Sequence, residues 1–388
     1  MKIPIMYNLR NLVSRKVTTL LTILGIGLVV FVFAAVLMLA RGFRETLMSS
    51  GDPSNVIVLR KAATSEMTSS ISRNQANILK TQPEVVVLDN GRPLVSGEVV
   101  VVNNLAKRAD DQTTNVTVRG VSQESLTLRS KVKIVEGRML CAGTSEIITG
   151  KGAAEKFKGC GLGESVEMGN REWTVVGVFE AGGSSFESEI WGDVEQLMQA
   201  FRRPVFSTMT MKMKDPTQFA SMKERIEKDP QLTVDLKREI DFYEEQSQNL
   251  GLFIQILGIF VTVVFSFGAM AGAVITMYSA VANRASEIGT LRALGFKRRN
   301  ILASFLIECI FISLIGGALG ILFASFLQFI NISTTNWQSF SEVVFGFNLS
   351  AGIIIGSMLF SIIMGIIGGL APAVRAARMQ VVDALRAA

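Results

Sequence analysis

Four stretches of the chain carry no charged residue, at 17–40, 251–282, 309–330 and 343–374, and sequence of mixed polarity fills the rest. At about 1.5 Å per helical residue, the 24 residues of the first stretch reach roughly 36 Å, enough for a tilted crossing of a hydrocarbon layer about 30 Å thick. A membrane-spanning helix is therefore predicted over 17–40, 251–282, 301–330 and 343–372. Segments this long and continuously apolar exclude a membrane β-barrel, whose strands are about half that length and alternate in polarity. The glycine-rich third and fourth stretches leave a re-entrant path open for each. A cleaved signal peptide competes for the first, but its apolar region is about 7–15 residues long, so an uncleaved span is the better fit.

Between the first two spans, residues 41–250 have the pattern of a water-exposed α+β domain. Residues 56–59, 94–102 and 116–121 read as strands, and 72–81 as a helix capped by Ser72. Gly169-Asn170 separates two strand-like runs, 165–168 and 172–179, and predicts a hairpin. Met209, Met211 and Met213 alternate with Thr208, Thr210 and Lys212 at the period of a strand. Asp215-Pro216 then opens a helix, 233–236 returns as a strand, and a helix from about Glu239 leads into the second span. A βαβ unit is thus predicted at each end, 55–103 and 205–238, with a β-rich insert over 115–200. Residues 1–16 place Ile5, Met6, Leu9, Leu12 and Val13 on one side of an interfacial helix beside Arg10, Arg15 and Lys16.

The positive residues set the topology. Lys and Arg number four before the first span, five within 283–300 and three after the last span, whereas 331–342 holds none. Both termini, including the 373–388 tail, and the 283–300 loop are expected on the cytoplasmic side, with 41–250 outside. Composition agrees with this division. The chain is 49% hydrophobic with a mean hydropathy of +0.38, yet 19% charged, which fits a few spans plus a soluble domain. The net charge of +6 does not point to nucleic acid, because the basic residues flank apolar runs and form no stripe interleaved with aromatics. Histidine is absent, which removes His-based triads and HExxH zinc sites. Gly150-Lys151-Gly152 is no phosphate-binding loop: Ser145 stands where the first glycine belongs, and Gly152 where Ser or Thr would follow the lysine. Of the three cysteines, Cys309 falls in an apolar span, while Cys141 and Cys160 either pair across an oxidising compartment or stay as two thiols. Glu308 lies within the third span, where a carboxylate is costly. It reads either as a helix-to-helix tie or gate, or as snorkelling to the interface.

The most informative stretch is 283–297. Ile288, Leu291 and Leu294 fall three apart, Ala285 joins their stripe, and Arg284, Glu287 and Arg292 lie off it. Gly295 follows as a left-handed stop. Taken alone, such a loop also serves as a positive-inside anchor. The wording Arg284-x-x-Glu287-Ile288-Gly289-x-Leu291-Arg292-Ala293-Leu294-Gly295, however, resembles the cytoplasmic loop of the MacB/FtsX-type ABC transporter permeases. Phe305-Leu306-Ile307-Glu308 and the run Ala371-Pro372-Ala373-x-Arg375-Ala376-Ala377-Arg378 followed by Asp383-Ala384-Leu385-Arg386 are similar to that family too.

The resemblance implies that 283–300 is a coupling helix loop docking on a cytoplasmic ABC ATPase dimer, with Arg284, Glu287, Ile288, Leu291, Arg292, Leu294 and Gly295 as its coupling residues. It also implies a ferredoxin-like part built from 55–103 and 205–238. ATP and Mg2+ would bind in the partner ATPase, with no cofactor or metal on this chain and no catalytic residues. A second permease copy or a homologous permease completes the assembly in a bacterial inner membrane. The expected work is mechanotransmission, which exports or extracts a substrate, usually with a periplasmic adaptor and an outer-membrane channel. The alternative is a regulator that drives a cell-wall hydrolase or a sensor kinase.

Overall fold

A chain inside hydrocarbon has no water for its peptide groups, so its apolar stretches satisfy them as helices. The structure, a computed structural model, describes residues 16–336 and 341–380. Among these, four helices are long and apolar enough to cross a membrane: Lys16–Met48, Glu239–Asn283, Arg298–Phe329 and Ala351–Arg378. The expected interfacial helix at 1–16 and the end of the C-terminal tail lie outside the described residues. Contacts divide the chain into two compact units. One holds the chain up to Arg41, Leu252–Ile330 and Gly346 onward; the other is Gly42–Gly251 with Asn331–Phe345.

In chain order the elements are α1 (Lys16–Met48), β1 (Asn55–Arg60), α2 (Arg73–Lys80), β2 (Val95–Ala106), β3 (Thr113–Val121), α3 (Gln123–Leu128), β4 (Lys133–Gly137), β5 (Glu146–Gly150) and α4 (Lys151–Lys156). Then follow β6 (Ser165–Met168), β7 (Arg171–Glu180), β8 (Ile190–Asp193), α5 (Val194–Ala200), β9 (Thr208–Lys212), α6 (Phe219–Glu227) and β10 (Val234–Arg238). The last are α7 (Glu239–Asn283), α8 (Ala285–Ala293), α9 (Arg298–Ser325), β11 (Asn331–Asn336), β12 (Ser341–Gly346) and α10 (Ala351–Arg378).

In the soluble unit, the strands run β10-β1-β9-β2-β3-β8-β5-β7-β4, with β6 on β7. The first four, with α2 and α6, have the connectivity of a ferredoxin-like β-α-β sandwich split across the insert. Its seam is β2, which pairs β9 through Val95–Glu98 and β3 through Val99–Ala106. Ser72 caps α2 with a reciprocal bond to Gln75, and Gly169 and Asn170, at φ 59° and 58°, make the tight turn between β6 and β7. The Met/Thr alternation of β9 has a less simple outcome than one dry and one wet face. Met209 and Met211 join the core under α2 and α6, but Thr208 and Thr210 are buried as well, and the Thr208 hydroxyl donates to the Val58 carbonyl at 3.0 Å. A second core on that other face gathers Ile57, Leu59, Phe186, Trp191, Phe242 and Tyr243.

Between these cores lies a buried charge network. The Arg119 guanidinium donates to Glu66 at 2.8 Å, to Glu98 at 3.0 Å and to Glu189 at 2.8 Å. Arg129 donates to both oxygens of Glu98, sharing Oε2 with Arg119 at 2.8 Å, stacks over Phe186 at 4.8 Å and approaches Glu239 to 4.0 Å. Burial pushes the Glu98 carboxyl up, but Arg129 and Arg119 outweigh it and hold the group below its ordinary value of 4.5.

Within the membrane unit, helices meet where side chains are smallest. A Cβ on Gly320 of α9 would fall 2.5 Å from the Gly27 carbonyl oxygen of α1, and one on Gly365 of α10 would fall 2.5 Å from the Ser313 hydroxyl of α9. The Gly316-x-x-x-Gly320 spacing is thus used for close packing. Gly268 and Gly272 of α7 are not used in this way: a Cβ on either meets nothing within 4 Å.

Two predicted boundaries are corrected. Residues 343–346 belong to strand β12, and α10 starts at Ala351, capped by the Ser350 hydroxyl. Nor does the helix stop at Pro372; it continues to Arg378 with the proline inside, as membrane helices tolerate when neighbours re-satisfy the freed carbonyl. The third and fourth spans are continuous helices.

Because Arg119 is the shared donor of three buried carboxylates, Arg119→Ala should cost about 3–5 kcal/mol, the usual result of stranding a buried charge. Arg138→Ala, which removes an exposed partner of Glu146, should leave stability nearly unchanged. Chemical denaturation of the full chain in detergent, followed by Trp fluorescence, measures both. Equal small losses would mean the network is dispensable.

Candidate functional site

The charged loop between the second and third spans folds as the nine-residue helix α8, set off from α7 by Arg284, whose backbone is non-helical at φ −115°, ψ 19°. Gly295 at φ 92° ends it. The Phe296 amide returns to the Leu291 carbonyl at 3.1 Å and the Gly295 amide to that of Arg292 at 3.1 Å, a Schellman closure that requires the left-handed residue. Ile288 is buried in a cluster with Met277 and Val281 of α7, Ile301 and Phe305 of α9, and Ala373 and Ala376 of α10. One side chain of α8 therefore touches the group where three spans converge.

The expected apolar stripe is only half realised. Ile288 is buried, Leu291 and Ala285 are half-buried, and Leu294 is 68% exposed. Arg284, expected at the surface, is buried instead. Its Nη1 donates to Glu308 at 3.1 Å, its Nε to Glu287 at 3.3 Å, and its guanidinium lies 5.1 Å from the centre of the Phe305 ring. A charge this desolvated needs a partner, and Glu308 supplies one. Glu308 is therefore a buried partner of Arg284, which ties α9 to the start of α8. The outward side of α8 consists of Glu287, Thr290, Ala293 and Leu294, followed by the cations Lys297, Arg298 and Arg299. Arg292 is half-buried. At the end of α10, Arg375 stacks over Tyr278 of α7 at 5.3 Å.

A second feature had no counterpart in the sequence reading. The segment between the third and fourth spans folds as paired strands β11 and β12, and it belongs to the soluble unit. Glu342 of β12 lies between Lys107, at 2.8 Å, and Lys156, and accepts from the Thr114 hydroxyl at 3.2 Å. The Val344 amide donates to the Ser188 hydroxyl at 2.9 Å, and Phe345 meets Phe43 edge-on at 5.2 Å. The only sequence signal was Val343-Val344-Phe345, which was absorbed into the fourth span because it is apolar and uncharged.

Cys141 and Cys160 do not pair. Cys141 is exposed in a loop beside Arg138, whereas Cys160 is fully buried in the domain core, where burial pushes its thiol up to about 12. A separation of 19 positions in sequence says nothing about Cβ vectors, and here the two thiols occupy different environments.

Four apolar helices and a two-part α/β domain inserted after the first define a membrane permease with one large soluble domain. Residues 19–229 match the MacB-like periplasmic core domain and residues 259–381 the FtsX-like permease C-terminal domain, and the chain belongs to this MacB/FtsX-type permease family of the bacterial inner membrane. It is 26% identical over 400 residues to the uncharacterized ABC transporter permease YknZ of Bacillus subtilis, covering 97% of each chain. It is 24% identical over 410 residues to the macrolide export ATP-binding/permease protein MacB of Burkholderia thailandensis, covering 96% of this chain and 58% of that longer protein. Among solved structures, the periplasmic region of MacB from Actinobacillus actinomycetemcomitans is similar at 13% identity and a TM-score of 0.38, covering 52% of this chain and 95% of that one.

The Glu342 seat is intermediate between an exposed ion pair, worth roughly 1 kcal/mol or less, and a buried one, where loss of a partner costs roughly 3 or more. Glu342→Ala should weaken the seating of β12 by about 1–3 kcal/mol and leave Lys107 and Lys156 in mutual repulsion. Hydrogen exchange of the β12 amides in the full chain should then rise by about tenfold or more. Unchanged protection would mean that the hairpin is held by its apolar contacts alone.

Proposed function

We propose that this permease passes ATP-driven motion from a separate cytoplasmic ABC ATPase dimer, where ATP and Mg2+ bind, to its large domain on the other face of the membrane. The observation that carries the reading is the two-sidedness of α8. One side is locked among three spans through Ile288 and Arg284, and the other offers Glu287, Leu294 and a run of cations to a partner. The distribution of Lys and Arg supports cytoplasmic termini and a cytoplasmic α8. Helix α7 supports a mechanical link: its 45 residues contain no proline and extend about 68 Å, roughly twice the hydrocarbon thickness.

The work done is export or extraction of a substrate from the periplasm or outer leaflet, by two permease copies or a homologous pair, with a periplasmic adaptor and an outer-membrane channel as further partners. A relative named for macrolide export supports this class, as does the full-size soluble domain of Gly42–Gly251.

Topology and docking test it together. In a chain lacking its native cysteines, Glu172→Cys should react with an impermeant maleimide in intact spheroplasts, and Lys297→Cys only after lysis. Leu294→Asp, which puts a charge on the exposed apolar contact of α8, should lower recovery of the ATPase on affinity capture by about tenfold while the soluble domain keeps its melting temperature. Labelling of Lys297→Cys from outside, or full capture by Leu294→Asp, would refute the assignment.

A further inference from the structure

We propose that Arg284 is a positioning residue: it fastens the docking helix α8 to α9 through Glu308, rather than touching the ATPase, and so makes movement of α8 a movement of the third span. The inference rests on the docking role proposed above for α8 and changes the part that Arg284 plays in it.

Arg284 is the hinge residue of the loop. It stands alone between the end of α7 at Asn283 and the start of α8 at Ala285, with both φ and ψ off the helical values. A hinge of this kind would let α8 turn about its Ile288 contact unless a second tie held it. The guanidinium does so: only 9% of its side chain is exposed, and it reaches away from the outward side of α8 to Glu308, ten residues into α9 and about 15 Å along that helix. Glu308 is itself 7% exposed as a side chain, so the two charges have left water together, and separating them would leave two uncompensated ions in a medium of low dielectric.

Three contacts give the pair direction. Phe305 lies one turn before Glu308 on the same side of α9 and covers the guanidinium, which keeps water from competing with the bond. Glu287, one turn into α8, binds the Nε edge, so the planar group spans both helices at once. The residue after Glu308 is Cys309, which packs so closely on α10 that a Cβ on Gly369 would fall 2.3 Å from its sulfur. A displacement of α8 is thus handed to α9 by charge and from α9 to α10 by steric contact. Lys in place of Arg284 would keep the charge but lose the fork that joins Glu287 to Glu308.

The test uses the full-length permease in nanodiscs, alone and with the ATPase that copurifies with the wild-type chain from its own cells. Alone, Arg284→Gln and Glu308→Gln should each raise amide exchange over 285–293 by about tenfold, and the double variant should add little to either, because both remove the shared Arg284–Glu308 bond. With the ATPase, Glu308→Gln should capture it within about twofold of wild type while permease-stimulated ATP turnover falls about tenfold, a size usual for coupling between sites. Arg284→Gln should match it in both readouts, and Arg284→Lys should recover only part of the stimulation. The proposal is overturned if exchange over 285–293 is unchanged in both single variants, or if Arg284→Gln loses capture as Leu294→Asp does while Glu308→Gln keeps both capture and stimulation. If the wild-type chain captures no ATPase, the docking role fails, and the exchange experiment still decides whether Arg284 and Glu308 hold the helix.

Discussion

One guanidinium organises the soluble unit. Arg119 sits near the end of strand β3 and collects Glu66, Glu98 and Glu189 from three separate segments, and Glu98 passes the connection through Arg129 toward Glu239, the first residue of α7. Each carboxylate would be costly alone in a core that also holds Trp191 and Phe186. Together they are satisfied only when the loop carrying Glu66, the seam strand β2, the turn before β8 and the start of α7 are all in place. Glu239 adds its own ties at the start of that helix, accepting from the Asp52 amide at 3.1 Å and the Asn55 amide group at 2.9 Å. The network therefore specifies the geometry of the domain more than it adds to net stability.

The membrane unit solves a different problem by different means. Hydrophobic burial does not hold helices together in lipid, so close backbone approach and a few polar contacts decide their positions. The glycine contacts of α9 with α1 and α10 are of the first kind, and the Arg284–Glu308 pair is of the second. Helix α7 takes part least: only 18% of its most apolar window is buried within the chain, against 33–39% for the other three spans.

What the sequence revealed followed from its periodicities. The four spans, the Ser72 cap, the Gly169-Asn170 turn and the left-handed Gly295 each depend on local chemistry that neighbouring residues cannot hide. The failures were cases where tertiary structure overrode such patterns. Val343 to Phe345 is apolar enough to pass as membrane, yet it is a strand, because Glu342 and the Val344 amide find polar partners on the soluble unit. Leu294 fits a stripe but faces outward, since a nine-residue helix meets the bundle over little more than one turn. Arg284 lies off the apolar stripe and is grouped with the coupling residues by the resemblance; its partner, 24 positions away, could not be seen from spacing. The Arg119 network was likewise invisible, although an arginine within the otherwise apolar or small run 116–121 was its trace.

The central claim is that nucleotide at the ATPase changes the arrangement of the domain across the membrane. Double electron–electron resonance between spin labels at Glu172→Cys in the two permease copies, in nanodiscs with the copurifying ATPase, reads this directly. The account predicts one distance distribution without nucleotide and a shifted one when ATP is trapped with vanadate. Identical distributions in the two states, in a complex shown to hydrolyse ATP, would contradict it.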